Sequence, residues 1–340
     1  MKTKQLTLPQ QRLILLAMFL ALAAAFLFSI CVGRYSVTPF EAVNIICVYF
    51  FGNPAALDPV KLSVVIKVRL PRILLAVLIG GGLASAGGSY QAIFGNPLVS
   101  PDILGVSSGA GFGAALGILL SAGMVTVEAL SLAFGLAAVA LVLLISRVQK
   151  KTELFMLVLS GVIIGALFEA FVSLIKYIAD PQDKLPAIVI WLMGSLASAS
   201  YNDVLIAALV ILPCLFILLA LRWKMNLLSL DEEEARSLGV NVGKLRLAVI
   251  LVSTLMTAVS VSLCGIIGWI GLVIPHVGRL FIGNDHRALM PACAFLGGTY
   301  LLLIDGLART MTAAEIPLSI LTAIIGAPFF AYMLRKTTGG

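Results

Sequence analysis

From Leu13 to Val32 the chain reads LILLAMFLALAAAFLFSICV, an unbroken stretch with no charged residue. A helix of about 20 apolar residues crosses the roughly 30 Å hydrocarbon core of a bilayer. Inside that core every backbone N–H and C=O has to be satisfied within the protein, so such runs fold as helices. Comparable runs, some interrupted by Gly or Pro, fall near 12–32, 70–92, 103–121, 126–146, 154–178, 204–221, 246–266, 268–283, 288–308 and 316–334. That predicts about ten transmembrane helices in one membrane domain over 1–340, with the weakest breaks at 92–104 and 265–270. Composition excludes the alternative. Hydrophobic residues make up 61% and charged residues 11%, against about 45–50% and 25% in soluble domains. A soluble core of this size has no room for that much apolar surface. The expected class is an all-α integral membrane protein.

The first run follows Lys2, Lys4 and Arg12 and is long for a signal-peptide core. SICVGRYS is a poor cleavage site, so a retained first helix is expected. With the N-terminus placed inside, 15 of the 23 basic residues fall on cytoplasmic segments, the bias that sets topology. An even number of spans returns the C-terminus to the same side. The net charge of +7 then reports orientation, not nucleic-acid binding. Residues 34–68 become an external segment, in which TPFEAVNIICVYFFG suits a short helix lying at the interface. Residues 223–245 become a cytoplasmic one.

Familiar reaction chemistry is missing. GVNVGKL, at 239–245, is one residue short of a phosphate-binding loop and lacks its terminal hydroxyl. Two histidines, His276 and His286, and five scattered cysteines without a CxxC pair make neither a metalloprotease nor a metal site. No catalytic residue, bound cofactor or metal is expected of this chain.

Ionisable residues within spans are costly and count as functional candidates. Glu169 and Lys176 lie seven apart in the fifth span. Asp305 and Arg309 lie four apart, in reach of an ion pair. Lys176 and Arg309 fall near predicted outer helix ends, where long side chains snorkel to headgroups. Gly105, Gly109, Gly113 and Gly117 place small residues on one helix stripe, which suits close helix packing. Pro97 and Pro101 in FGNPLVSPDILGV force a turn, and Pro275 in GLVIPHVGR interrupts a span.

The segment SLDEEEARSLGVNVGKLR, residues 229–246, concentrates four of the 16 carboxylates. Ser229 followed by acids is a helix-start signal, with Asp231 to Glu234 favourable at the positive helix end. Gly239 ends the helix. A compact two-helix knob with an apolar stripe rimmed by charge is expected, a shape suited to docking a soluble partner.

Three blocks in this order carry a family resemblance: RLPRILLAVLIGGGLASAGGSYQAIFGNPLVSPDILGVSSGAG, then LSLDEEEARSLGVNVGKLR, then GIIGWIGLVIPHVGRLFIGNDHRALMPACAFLGG, with AEIPLSILTAIIGAPFF near the end. The chain resembles the FecCD/BtuC permeases of binding-protein-dependent ABC importers for iron chelates, haem and cobalamin. The resemblance implies a homodimer with ten spans per subunit, both termini inside, in a bacterial or archaeal cytoplasmic membrane. It implies two ATP-binding subunits that hold ATP and magnesium, and a periplasmic or lipid-anchored substrate-binding protein. The coupling helices would comprise Leu230, Asp231, Glu232, Glu233, Glu234, Ala235, Arg236, Leu238, Gly239 and Val240. The binding protein would dock through Arg69, Arg72 and Arg309, and the cytoplasmic gate would sit on Asn96, Pro97 and Leu98. An iron chelate is the first expectation for cargo; cobalamin or an oxyanion such as molybdate stays open. So does a different class, an ion-coupled transporter using Glu169, Lys176 and Asp305.

Overall fold

The computed structural model describes residues 7–53, 57–148, 151–152, 154–229 and 232–338. In chain order its helices are α1 (Leu8–Cys31), α2 (Pro39–Phe51), α3 (Pro59–Leu62), α4 (Leu70–Phe94), α5 (Val106–Leu119), α6 (Met124–Ile145), α7 (Leu154–Ile178), α8 (Lys184–Leu192), α9 (Tyr201–Asn226), α10 (Glu232–Ser237), α11 (Val242–Cys264), α12 (Ile270–Ile282), α13 (His286–Thr310) and α14 (Leu318–Thr338). A two-residue strand pair, β1 (Arg147–Val148) and β2 (Lys151–Thr152), closes the turn between α6 and α7. Each of the ten expected spans corresponds to one of these helices. Six are long and apolar enough to cross a membrane by themselves.

The bundle is built around α4. Pro71 sits in its first turn, where a missing N–H costs nothing, and Gly95 ends it in the left-handed conformation, φ +59°. Twenty-one of its 25 residues are buried, and it packs against α9, α11, α12 and α13. Small residues make this possible. A Cβ on Gly297 would strike the Gly80 carbonyl, and one on Gly87 would strike Gly271. Backbones meet directly at these crossings, the packing that membrane helices use where no hydrophobic drive exists between them. The glycine stripe of α5 works the same way. A methyl on Gly109 would come 2.5 Å from the Phe134 carbonyl of α6, and Gly113 abuts Leu130.

Helices on the outside look different. In α1 and α9 only 22% of the apolar window is buried, against 72% in α11. Leu13, Leu16, Phe19 and Leu20 are among the exposed apolar side chains of α1, and lipid is the solvent that suits them.

Two expected spans are shorter than their apolar runs. At 14 and 13 residues, α5 and α12 reach only about 21 Å and 20 Å at 1.5 Å per residue. Before α5, Pro101–Leu104 forms a 3-10 turn ending at Gly105, φ +73°. Before α12, Gly265 and Trp269 both take positive φ, +70° and +72°. The weak breaks at 92–104 and 265–270 are therefore backbone reversals. The nine-residue α8 was not anticipated from hydropathy, because KLPAIVIWL is too short to register as a span. In the segment expected to lie outside, α2 does form, started by a Thr38–Glu41 capping box.

Candidate functional site

The two ends of α4 carry the candidate residues. At its N-terminal end a π-helical turn, Ser63–Arg69, leads into the helix; such turns often accompany functional positions. Arg69 and Arg72 are each 4% exposed, and Arg309, in the last turn of α13, is 7% exposed. They do not snorkel. Arg69 donates to the carbonyls of Ile30 (2.6 Å), Cys31 (3.1 Å) and Tyr35 (2.5 Å), and so pins the end of α1. Arg72 Nε donates to Asp305 Oδ1 at 2.9 Å, while Nη1 and Nη2 grip the two Glu315 oxygens at 3.0 and 2.8 Å. This fork-on-carboxylate geometry is the strongest kind of charged hydrogen bond. Arg309 Nε lies 3.1 Å from Asp305 Oδ2, an ion pair off hydrogen-bond alignment, and its Nη2 donates to Ser29 Oγ at 2.8 Å. The expected i,i+4 pair of Asp305 and Arg309 is present. Its surroundings differ from expectation: Asp305 is fully buried between two guanidiniums. A cavity of about 180 Å³, with Arg34, Arg69, Arg72, Arg309 and Glu315 among its walls, opens above them.

At the other end of α4 the chain turns through Gly95 to Leu98, all exposed. The Asn96 side chain accepts the Leu98 N–H at 2.9 Å, the local bond that makes asparagine a turn residue. Pro97 sits between them, and Leu98 shows half its surface. Gln91 secures this turn: its Nε2 donates to the carbonyls of Val99 (3.2 Å) and Leu272 (3.3 Å), and Arg279 of α12 donates to its Oε1. Sequence reasoning missed Gln91 and Arg279, since neither sits in a motif and their pairing spans 188 residues.

The knob is smaller than expected. After α9 comes a single 3-10 turn, Leu227–Ser229, then the six-residue α10. Among the described residues the segment holds this 3-10 turn and α10, and Gly239 (φ +78°) and the Asn241 cap of α11 follow at once. Leu230 and Asp231 lie outside the described residues. Glu232 and Glu233 open α10; Glu234 and Arg236 are exposed on it. Ala235 is fully buried and Val240 nearly so, joined by a Val240 N–H to Ala235 carbonyl bond of 3.1 Å. Leu238 projects outward, 56% exposed. The base is strapped to the α12–α13 turn: Asn226 donates to Asp285 at 2.8 Å, accepts from the His286 N–H at 2.8 Å, and Arg222 donates to the Arg287 carbonyl at 2.9 Å.

Residues 20–336 match the FecCD transport family. The chain belongs to that family. It is 43% identical over 96% of both chains to the molybdate import system permease protein MolB of Haemophilus influenzae. It is 41% identical, over 81% of this chain and 83% of the relative, to an iron chelatin transport system permease protein of Helicobacter pylori. A solved structure of an inward-facing metal-chelate type ABC transporter superposes with a TM-score of 0.86 at 43% identity, covering 95% of this chain and 99% of the other. This FecCD protein is a multi-pass membrane permease subunit of an ABC importer, with the BtuC-like all-helical fold.

Within the permease the ion-coupling candidates are not gathered. Asp305 is enclosed by Arg72 and Arg309 on α13. Glu169 is exposed on α7, where Ser108 donates to it at 3.4 Å, and Lys176 is half-buried further along. Among the described residues no three His, Cys, Asp or Glu side chains are grouped to hold a metal.

Proposed function

We propose that this FecCD permease is the passage of an importer moved from one end and loaded from the other. The knob end, residues 229–246, seats in a separate ATPase, which handles ATP and its magnesium. The arginine end receives a substrate-binding protein outside the cell. Two copies of the chain enclose the passage, and the turn at Asn96, Pro97 and Leu98 closes it on the cytosolic side. The orientation rests on the Lys and Arg bias.

One observation carries this reading. The charged knob and the arginine cluster lie at opposite ends of the bundle: Asn226 at the knob's base is bonded to the start of α13, which runs beside the C-terminal half of α4 at Gly88, while the arginines stand at the first turn of α4 and the last of α13. A passive conduit needs such footholds for a motor and a donor; an ion-driven carrier needs its charges along the path. The acidic run of the knob then gives a soluble partner an electrostatic address, with Leu238 as an apolar anchor. For cargo we infer an iron chelate, in keeping with the iron chelatin relative and the metal-chelate structure. The 43% identity to a molybdate permease over nearly the whole chain favours an oxyanion as the second reading.

The test is uptake by proteoliposomes containing the permease with its ATPase and binding protein. Radioactive ferric chelate accumulates with ATP and not without it; molybdate does not compete. Competition by molybdate transfers the assignment to the oxyanion. Uptake by the chain alone under a proton gradient overturns the importer reading.

A further inference from the structure

The arginine cluster contains more positive charge than its own carboxylates match. Arg69, Arg72 and Arg309 face Asp305 and Glu315, and Arg34 lines the same cavity. The bonds of Arg69 go to three backbone carbonyls. The two carboxylates are also unequal. Asp305 is fully buried on α13 between two guanidiniums, and its departure would strand both. Glu315 is 33% exposed and sits on the loop between α13 and α14, at the rim of the cavity. It can rotate to water at little desolvation cost, whereas Arg72, 5% exposed, cannot follow it.

The loop that holds Glu315 is lightly attached. Arg34 donates to the carbonyls of Thr312 and Ala313, and the Ile316 N–H donates to the Ala308 carbonyl at 3.2 Å. Directly after it, the Leu318 and Ser319 N–H groups donate to the carbonyls of Gly194 (3.0 Å) and Met193 (3.1 Å), at the C-terminal end of α8. Any shift of the Glu315 loop therefore pulls on α8.

We propose that Glu315 is a resident stand-in for a carboxylate of the docking protein. On docking, a partner Asp or Glu takes the Arg72 fork, Asp305 stays in place, and Glu315 swings out with residues 311–317. The exchange conserves the number of ion pairs on Arg72, so the guanidinium is never left bare in a low-dielectric site. It also makes the free permease a self-competitor. Only the fraction with Glu315 displaced is ready to dock, which lowers apparent affinity by that fraction. Loop release passes through Leu318 and Ser319 to α8.

This inference rests on the docking role of the arginines, and the experiment separates the two. The permease in lipid nanodiscs is titrated with its own substrate-binding protein, cargo-free and fluorescently labelled. Arg72→Lys keeps the charge but loses the fork and weakens docking about tenfold or more. Glu315→Gln removes the competing charge and tightens docking about tenfold. If Arg72→Lys binds like wild type, the docking role itself fails. If Arg72→Lys weakens docking while Glu315→Gln leaves it unchanged or weaker, the exchange alone fails. A measurement on the unaltered protein guards against a folding defect in the variants. Amide hydrogen exchange at Ile316 and its loop neighbours speeds up at least tenfold in the docked complex, and slowed or equal exchange overturns the proposal.

Discussion

The arginine end and the knob end are both charged, and they are built in opposite ways. At the arginine end Arg69, Arg72, Arg309 and Asp305 are buried, and apart from the i,i+4 pair of Asp305 and Arg309 their partners are remote in sequence: 233 residues separate Arg72 from Asp305, 243 separate it from Glu315, and 280 separate Arg309 from Ser29. That cluster exists only once α1, α4 and α13 have packed. At the knob the bonds are local, three to five residues apart, as in Leu238 to Glu234 and Val240 to Ala235. The described charges of α10, Glu234 and Arg236, are exposed, and the buried Ala235 and Val240 anchor the knob. One end is a product of the tertiary fold and shares its stability; the other is a detachable local device. A conduit driven by an external motor suits that division, because a foothold has to move without loosening the bundle.

The sharpest way to break the comparison is at Asp305. Asp305→Ala leaves Arg72 and Arg309 buried with their shared carboxylate gone. Removing one member of a buried ion pair costs about 3–5 kcal/mol, so thermal unfolding in detergent falls by several degrees. Glu234→Gln on the knob stays within about 0.5 kcal/mol of wild type, as exposed substitutions do. Equal shifts in the two variants would erase the distinction.

Ala235→Glu tests the knob's independence with a smaller effect. A carboxylate forced into that fully buried position costs more than the about 1–3 kcal/mol of an unpaired neutral polar group, enough to unfold a helix held by one turn. Hydrogen exchange across 232–240 rises and ATP-driven uptake drops to background, yet the bundle melts within about a degree of wild type. A matching loss of bundle stability means the knob is not separable. Leu238→Ala goes further down in size. Its side chain is mostly exposed, so stability is unchanged, while affinity for the ATPase falls by about 1–2 kcal/mol, the loss typical of an interface anchor. Calorimetric titration with the isolated ATPase reads it.

The same division explains what could be read from residues alone. Spans were legible because a bilayer imposes length and apolarity on each helix locally, and the glycine stripe of α5 was legible because helical periodicity is local too. The knob's terminator at Gly239 was equally plain, although its helix count was not: the chain from Asn226 to Asn241 is too short for two helices once Leu227–Ser229 tightens into a 3-10 turn. What escaped was long-range. Arg309 read as a snorkelling residue because nothing in LART reveals that α1 covers it with Ser29. Glu315 and Gln91 carried no signal, since their meaning lies in Arg72 and Arg279 far along the chain. A lone mid-span Glu169 still stood out, because charge in an apolar run is itself a local anomaly.

The smallest predicted effect concerns the strap between knob and bundle, where the two regimes meet. Burial raises the Asp285 carboxyl, but hydrogen bonds from the Arg287 side chain and N–H and from Asn226 outweigh it, holding the group at about 2 against an ordinary 3.8. The folded-state value is depressed, so the carboxylate contributes stability that is fully present above about pH 4 and lost as pH falls through 2. The site is partly open to water, so screening limits the contribution to about 1 kcal/mol. In Asp285→Asn that contribution is missing at every pH. The stability difference between wild type and Asp285→Asn is therefore flat above pH 5, shrinks between pH 4 and 2, and vanishes below. Because Asp285 also caps α13 through the Arg287 N–H at 2.9 Å, asparagine, which caps as well, isolates the charge from the cap. A difference that stays constant down to pH 2 would show that the strap holds by its neutral hydrogen bonds alone, making the knob's attachment as insensitive to charge as its helix is dependent on the buried Ala235 and Val240.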